Sequence, residues 1–342
     1  MAEPPADGKG GPVRAFKCRT CGNALYFENS TCVACGSALA FSRDERAIVP
    51  VDESGRYVDA QGYIWWVCRN QDISNCTWLA TVRGGLCFSC ELTRKRPSDE
   101  DLAGLGQFVV AESAKRRLIV ELDTLELPII TRSSDPSTGL AFDLLSSAQE
   151  PVTTGHHNGI ITIDLAESDS VHREQVRRRL AEPYRTMLGH FRHEIGHYYE
   201  ALLVQGDQRD RARELFGDER QDYAEAAERH YAQGPPAGWQ GTYISAYATM
   251  HPFEDFAETF AHFLHITDTI DTARAFGLAT VNPEAFRSFR DLVTGVWVPL
   301  SVALNQINRS MGREPLYPFV IAGPVLEKLD FVASLTPRHR AS

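Results

Sequence analysis

Residues 187–203 read MLGHFRHEIGHYYEALL, and within this stretch residues 193–197 spell HEIGH. Apolar residues flank the motif on both sides, which predicts a buried helix rather than a solvated one. Residues i and i+4 differ by about 40° around a helix, so the imidazoles of His193 and His197 project from one face and can bind one metal ion. Glu194 lies one step from His193, where its carboxylate can take a proton from a water on that metal.

A second amphipathic segment supplies the best candidates for a further ligand. A catalytic zinc takes three protein ligands and leaves its fourth position to water. The segment HPFEDFAETFAHFLHI at residues 251–266 carries Glu254 and Glu258 at i and i+4, again on one helix face. One carboxylate can bind the metal while the other accepts the second ring N–H of a ligand histidine.

All eight cysteines lie between Cys18 and Cys90, and the 252 residues that follow contain none. In a reducing compartment, tetrahedral zinc-thiolate sites are expected rather than disulfides. We therefore predict two local four-cysteine sites that hold structural zinc. The first site comprises Cys18, Cys21, Cys32 and Cys35, and the second comprises Cys68, Cys76, Cys87 and Cys90. A cross-braced arrangement, in which the pairs alternate between the two sites, is the open alternative.

The cysteine distribution also predicts the domain organisation. A zinc-ribbon region is expected at 16–95, after a disordered tail at 1–15 and before a charged linker at 96–106. The remaining residues, 107–342, are predicted to form the second domain. It begins with β-rich runs that indicate a sheet of three or four strands, at 117–123, 128–132, 140–145 and 159–166. A helical pattern then starts at Val171, is interrupted by Pro183 and ends at Gly206.

Composition and charge exclude several classes of protein. The chain has 342 residues, 43% of them apolar, and a formal net charge of −10, so collagen-like and wholly disordered chains are excluded. Up to Gly106 there are 12 basic and 13 acidic residues, a balance that argues against a nucleic-acid partner. The start, MAEPPADGKGGP, lacks the apolar core of a signal peptide, and no stretch is long enough to span a membrane. These features predict a soluble cytoplasmic protein.

The pairing of HEIGH with the downstream EDFAETF resembles a gluzincin-type zinc metallopeptidase. It is similar in local pattern to the catalytic domains of anthrax lethal factor and the Pro-Pro endopeptidases. Over most of residues 16–335 the chain also resembles a bacterial family of zinc-binding metallopeptidases with an N-terminal zinc-ribbon region. That resemblance rests on the cysteine pairs, HEIGHYY, SAYATMHPFEDFAETFAHFLHI and LYPFV. It implies an α+β fold, with a zincin-like peptidase domain preceded by two zinc-ribbon-like modules.

The resemblance also implies a role for each residue of the motifs. The catalytic zinc would be held by His193, His197 and Glu254. Glu194 would act as general base and then as proton donor to the leaving amine, and Glu258 would support a ligand histidine. In the related peptidases a tyrosine seven residues before the ligand glutamate assists the transition state. That position is Tyr247 here, and Tyr243, one turn earlier, is the alternative.

Together these features predict a zinc-dependent metallopeptidase, an endopeptidase, with one catalytic and two structural zinc ions. Its substrate would be a peptide or protein, and the zinc-ribbon region offers a surface for a protein partner. The strand at 159–166 either lies at the cleft as an edge strand that pairs with extended substrate, or is an ordinary core strand. The alternative function is a zinc-ribbon binding or regulatory protein whose zincin domain is catalytically silent.

Other polar residues near the motifs are predicted to have no part in the chemistry. Asp255 is expected to be solvated or to cap its helix, and His190 to be a flanking polar residue. His262 and His265 are expected to pack or to lie at the surface. The pair His156-His157, beside Asn158-Gly159, looks like a turn, and the alternative is that it lies at the rim of the cleft. The three arginines at 177–179 look like a solvated helix face.

Overall fold

The computed structural model describes residues 15–148, 150–168, 186–280 and 282–337. Short hairpins come first along the chain and long helices later, which confirms the predicted α+β class. Three sequence predictions concern residues outside these ranges: the tail up to residue 14, the arginines at 177–179 and the helix around Pro183. No helix within the described ranges combines the length and the apolar character that crossing a membrane requires.

The N-terminal region consists of antiparallel hairpins and two single-turn helices. The first two strands enclose one Cys-x-x-Cys turn, where Gly22 follows the second cysteine with a φ of +75°, a conformation that glycine adopts at little cost. The strands are β1 (Phe16–Lys17), β2 (Ala24–Leu25), β3 (Leu39–Ser42), β4 (Ala47–Pro50), β5 (Arg56–Val58), β6 (Ile64–Val67) and β7 (Leu79–Ala80). The helices are α1 (Gln71–Ser74) and α2 (Phe88–Glu91).

The N-terminal region shares its core with the helices that follow. Phe41 and Trp78 are almost fully buried, with ring centroids 5.0 Å apart, and Phe16 and Phe27 pack against Phe41. These rings belong to one continuous apolar cluster that extends into the later helices. The hairpins therefore pack directly on the rest of the chain.

Helix α3 (Leu102–Thr124) includes residues that were predicted as the end of a linker, at 96–106, and as a strand, at 117–123. It begins inside the stretch 96–106, where Asp101 caps it by accepting a hydrogen bond of 2.8 Å from the Gly104 amide. The run at 117–123, predicted as a strand, lies within this helix, so that prediction is wrong. The reason is that α3 is buried around residues 118–122, and a short continuous apolar run has the same pattern in a buried helix and a buried strand.

Polar contacts fix α3 against the N-terminal region. Arg43 donates two hydrogen bonds to the Asp123 carboxylate, of 2.6 and 2.7 Å. Deeper in the interface, Glu112 and Lys115 are fully buried and form an ion pair of 2.6 Å, and the Thr93 hydroxyl also donates to Glu112. The ion pair lies within α3 and compensates its two buried charges, whereas the contacts of Arg43 and Thr93 constrain how α3 lies on the N-terminal region.

The sheet of the second half has four strands in the order β10, β11, β9, β8. Strand β9 (Ala141–Leu145) runs parallel to β11 (Ile160–Asp164) and to β8 (Thr93–Lys95). The number of strands agrees with the sequence prediction, but two members differ, because the runs at 117–123 and 128–132 form no strand of this sheet. Residues 128–132 contribute a single bridge between Thr131 and Leu140, and the fourth strand is β8, which directly follows the zinc-ribbon helix α2.

The edge of this sheet is β10 (Gly155–His157), a strand that the sequence analysis did not predict. Its antiparallel pairing with β11 places β11 in the interior of the sheet, so of the two alternatives for 159–166 the structure shows the core strand and not the edge strand. The turn predicted for His156-His157 beside Asn158-Gly159 involves the second pair, while His156 and His157 lie on the strand. The turn is Asn158-Gly159, where both residues have positive φ, the pattern of a two-residue hairpin turn.

Two long helices pack against each other across the centre of the second half. They are α4 (Met187–Leu203), capped by Thr186, and α7 (Pro252–Ala275), capped by His251. Gly196 allows their close approach, because a Cβ added there would lie 2.9 Å from Ala257 Cα and 3.2 Å from Phe260 Cβ. The contact fixes the position of the first turn of α7 relative to the HEIGH segment.

The remaining helices surround this pair. They are α5 (Asp207–Phe216), α6 (Tyr223–Gln233), α8 (Phe289–Leu292), α9 (Val298–Ser310) and α10 (Gly323–Ser334). Asp255 of α7 is fully buried and forms a 2.6 Å ion pair with Lys328 of α10. The prediction that Asp255 is solvated or caps its helix is therefore wrong. Its partner lies 73 residues away along the chain, and local sequence patterns do not indicate such a contact.

We expect Gly196→Ala to lower the free energy of unfolding by about 1–3 kcal/mol, because the added methyl group must push α4 and α7 apart. Gly106→Ala is the matched control, since Gly106 lies in α3 with nothing within 4 Å of its added Cβ. That control should stabilise the protein by up to about 1 kcal/mol through helix propensity. Urea denaturation measures both variants, and equal effects of the same sign would contradict the close-packing account.

Candidate metal centres and active site

Helix α4 places the two histidines of the HEIGH motif on one face. The ring centroids of His193 and His197 are 4.9 Å apart, as expected for residues one turn apart. His197 is buried among aromatic rings, and its ring stacks on that of Phe253 with a centroid distance of 4.0 Å. This stacking fixes the plane of the imidazole.

Helix α7 brings a carboxylate to the same point. Pro252 starts the helix and the His251 side chain accepts a hydrogen bond from the Phe253 amide, which places Glu254 in the first turn. Glu254 Oε2 lies 3.0 Å from His193 Nε2 and 3.5 Å from His197 Nε2. The structure therefore brings together the three residues predicted to hold the catalytic metal.

The spacing of these three atoms fits a zinc ion. Tetrahedral ligands that each lie about 2.0–2.1 Å from zinc are about 3.3 Å apart, close to both distances from Glu254. Glu254 is buried, and its Oε2 accepts no hydrogen bond from the described residues. A buried carboxylate oxygen without a donor, facing two imidazole nitrogens, is the arrangement that a bound cation would complete.

Glu258 lies one turn further along α7 and contacts the other side of His193. His193 Nδ1 donates a hydrogen bond of 2.7 Å to Glu258 Oε1. With Nδ1 engaged in this way, the lone pair of the neutral ring is on Nε2, the atom that faces Glu254. This is the supporting contact that the sequence analysis assigned to Glu258.

The carboxylates make the electrostatic environment favourable for a cation. Burial alone would lower the pKa of His193, but Glu254 and Glu258 outweigh burial and raise it well above the usual histidine range. Burial would likewise raise the pKa of Glu254, yet the charges of His197 and His193 hold it well below its usual range. The cluster stabilises positive charge, which is what a divalent ion requires.

Glu194 lies beside this cluster as the only acidic residue inside the HEIGH motif. Its side chain is buried, with 6% of the residue exposed, and its Oε2 has no hydrogen-bond partner among the described residues. Burial raises the pKa of Glu194, while the charges of His193 and His197 oppose the rise. A desolvated carboxylate whose basicity is raised is suited to accept a proton.

Two tyrosines contact this site, and one of them was missed from the sequence. Tyr223, the first residue of α6, donates a hydrogen bond of 2.7 Å from its hydroxyl to Glu254 Oε1. Tyr247 lies with its ring centroid 5.9 Å from that of His193. Burial and the charge of Glu254 raise the pKa of Tyr247 above its usual range, so its hydroxyl keeps its proton and can donate.

Tyr243, the alternative to Tyr247, packs elsewhere. Lys328 Nζ lies 4.4 Å from the centroid of the Tyr243 ring, next to the ion pair of Lys328 with Asp255. Of the two tyrosines, Tyr247 is therefore the one that contacts the histidines. No spacing rule pointed to Tyr223, because it lies 31 residues before Glu254 on a different helix.

The other histidines of the sequence analysis have different surroundings. His190 Nε2 lies 3.7 Å from Glu167, and the buried His262 forms a hydrogen bond of 2.8 Å with the Tyr317 hydroxyl. The ring of His265 stacks on that of Tyr317. His156, predicted in a turn, lies on the edge strand β10 with its ring centroid 6.5 Å from that of His197. The ring of His156 thus lies beside one of the two histidines of the HEIGH motif.

The eight cysteines form two separate groups of four. The two groups are Cys18, Cys21, Cys32 and Cys35, and Cys68, Cys76, Cys87 and Cys90. Within them, Sγ atoms of neighbouring cysteines lie 3.5–3.7 Å apart. Four sulfurs about 2.3 Å from a zinc ion would be about 3.8 Å apart, so both groups fit a tetrahedral zinc-thiolate site. The grouping is local, as in the first of the two arrangements considered from the sequence.

Comparison with known proteins finds two matching regions along the chain, one after the other. Residues 105–335 match the model of the family described as "Putative zinc-binding metallo-peptidase", and residues 15–101 match a zinc-ribbon domain. The chain is 53% identical over 333 residues to proteins of Mycobacterium bovis and Mycobacterium tuberculosis that are named as uncharacterized, covering 94% of this chain and 94% of each relative. No solved structure is significantly similar. The chain thus belongs to the zinc-binding metallo-peptidase family and carries an N-terminal zinc-ribbon domain.

Proposed function

We propose that the protein is a zinc-dependent endopeptidase whose general base is Glu194. The observation that carries this proposal is the convergence of two imidazole nitrogens and one carboxylate oxygen next to a second, buried carboxylate. His193, His197 and Glu254 would hold the metal, as the first three ligands of a site that leaves a position open. Family membership supports peptide or protein as the substrate class.

The chain's own residues then have distinct tasks. Zinc, when bound, supplies Lewis-acid chemistry that activates water and polarises the scissile carbonyl. Glu194 accepts the proton of the attacking water and passes it to the leaving amine. The Tyr247 hydroxyl donates a hydrogen bond to the oxyanion that develops on the carbonyl. Its raised pKa keeps that proton in place at neutral pH.

Two further residues position the ligands without touching substrate. Glu258 orients His193 through Nδ1, and Tyr223 holds Glu254 through Oε1, which leaves Oε2 directed at the histidines. Tyr223 also packs against His251, the residue that caps α7. Contacts of this kind restrict the rotation of a ligand side chain and so favour metal binding.

The edge strand β10 is the proposed binding site for extended substrate. An exposed strand edge can pair its free backbone groups with a peptide, and β10 is the outer strand of its sheet. Its residue His156 lies next to the ligand His197, and also next to Tyr198 of α4. A peptide added to this edge would therefore pass close to the metal-binding face.

The two cysteine groups are proposed to hold structural zinc. With the catalytic ion, this gives three zinc ions per chain, two in closed sites and one in an open site. We also propose the zinc-ribbon region, residues 16–95, as a surface for a protein partner, and the peptidase domain as residues 107–342. Cytoplasmic residence is proposed with them, because reduced cysteines are needed to bind zinc.

We predict that Glu194→Gln abolishes peptide hydrolysis while the protein retains its zinc, because the amide keeps the volume of the side chain but accepts no proton. Digestion of a peptide library by the purified full-length protein, followed by mass spectrometry, measures turnover. Glu214→Gln is the control, since this side chain is 65% exposed and lies on α5. Wild-type turnover in Glu194→Gln, or no hydrolysis of any peptide by the zinc-loaded wild type, would refute the proposal.

Tyr223→Phe should weaken zinc binding at the histidine site by about 10–100-fold, because Glu254 loses the hydrogen bond that fixes its carboxylate. Competition with a chelator measures this affinity, and thermal unfolding without added zinc shows whether the variant is folded. The control is Tyr63→Phe, which changes an exposed tyrosine of the zinc-ribbon region. Unchanged zinc affinity in Tyr223→Phe would remove Tyr223 from the set of positioning residues.

A further inference from the structure

A cavity of about 300 Å³ lies beside the metal-binding face and has no part in the proposed reaction. It is enclosed by the last turns of α4, by α5 and by the first residues of α7. Its walls are mostly apolar, and include Val204, Ala212, Phe216, Pro252 and Phe253. This volume is at the lower end of the range for small-molecule pockets, roughly 300–1,000 Å³.

Besides Glu219, one further acidic side chain lines this cavity, that of Glu200. Its Oε2 is buried and has no hydrogen-bond partner among the described residues. Burial raises the pKa of Glu200 well above the usual glutamate range, and the neighbouring charge of Glu219 adds to the rise. A carboxylate in these surroundings lacks the partner that would normally compensate its desolvation.

The arginines of the same cavity are engaged with other residues. Arg213 donates two hydrogen bonds, of 2.9 and 2.6 Å, to the Glu219 carboxylate. Arg209 is exposed and donates to the Gln205 side chain at 3.0 Å. Among the described residues, Glu200 is therefore the acidic group of the cavity without a bonded cation, next to walls that are mostly apolar.

The ring of Phe253 connects the cavity with the metal-binding face. Phe253 lines the cavity and stacks on the ring of His197 with an angle of 17° between the planes. The next residue along α7 is Glu254. A molecule in the cavity would therefore lie against the ring that packs on one metal-binding histidine.

We propose that this cavity binds the cationic end of an aliphatic chain, an ammonium or guanidinium group, with Glu200 as its counterion. The apolar walls match the methylene groups of such a ligand and the unpaired carboxylate matches its charge. Two sources share this chemistry, namely a free small amine and a lysine or arginine side chain of a peptide. The proposal concerns binding, and it holds whether or not the protein hydrolyses peptides.

Calorimetric titration of the full-length, zinc-loaded protein with n-pentylamine tests the proposal, with n-pentanol as the uncharged analogue. We expect saturable binding of the amine, binding of the alcohol at least tenfold weaker, and at least a tenfold loss of amine affinity in Glu200→Gln. Glu214→Gln is the matched control, because Glu214 lies on α5 outside the cavity and should leave amine binding unchanged. Thermal unfolding and zinc content establish that each variant is intact.

A second titration separates the two sources of the cation. It compares a blocked pentapeptide that has a central lysine with the same peptide containing norleucine. Glu200-dependent binding of n-pentylamine alone assigns the cavity to free amines, and Glu200-dependent binding of the lysine peptide as well assigns it to a peptide side chain. Equal binding of amine and alcohol, equal affinity in wild type and Glu200→Gln, or binding of neither probe would overturn the proposal.

Discussion

The close contact between α4 and α7 is the constraint on which the candidate metal site depends. Neither helix carries a complete ligand set, because two imidazoles come from one helix and the carboxylate from the other. Gly196 lies inside the HEIGH segment, and its missing side chain lets the backbone of Ala257 approach. Glu254 and Glu258 are one helical turn apart, so one carboxylate lies near Nε2 of His193 and the other near Nδ1. Packing and ligand geometry are thus set by the same contact.

The zinc-ribbon region supports this helix pair through α3. Arg43 and Thr93 of the N-terminal region contact side chains of α3, and α3 in turn packs on α4. The region also supplies β8, one strand of the sheet whose opposite edge, β10, lies near the histidines. Metal binding by the cysteines would stabilise short hairpins that bury little apolar surface by themselves. The proposed structural zinc sites at one end of the chain are therefore connected, through packed elements, to the candidate catalytic site at the other.

The sequence was informative where the chemistry is local and periodic. The spacings of His193 with His197, and of Glu254 with Glu258, follow the turn of a helix, and the cysteine pairs follow the geometry of a tight turn. Contacts that depend on tertiary packing were not predictable in this way. Tyr223 reaches Glu254 from another helix, and Asp255 finds Lys328 near the end of the chain. The strand predicted at 117–123 failed because a buried helix and a buried strand share a continuous apolar pattern.

The central claim is that one chain holds zinc in two closed sulfur sites and in one open site of nitrogen and oxygen ligands. Anomalous diffraction at the zinc absorption edge, on crystals of the zinc-loaded protein, tests it most directly. The account predicts three peaks: one within each cysteine group, and one about 2.0–2.1 Å from His193 Nε2, His197 Nε2 and Glu254 Oε2. Peaks confined to the cysteine groups, with none between these three atoms, would contradict it.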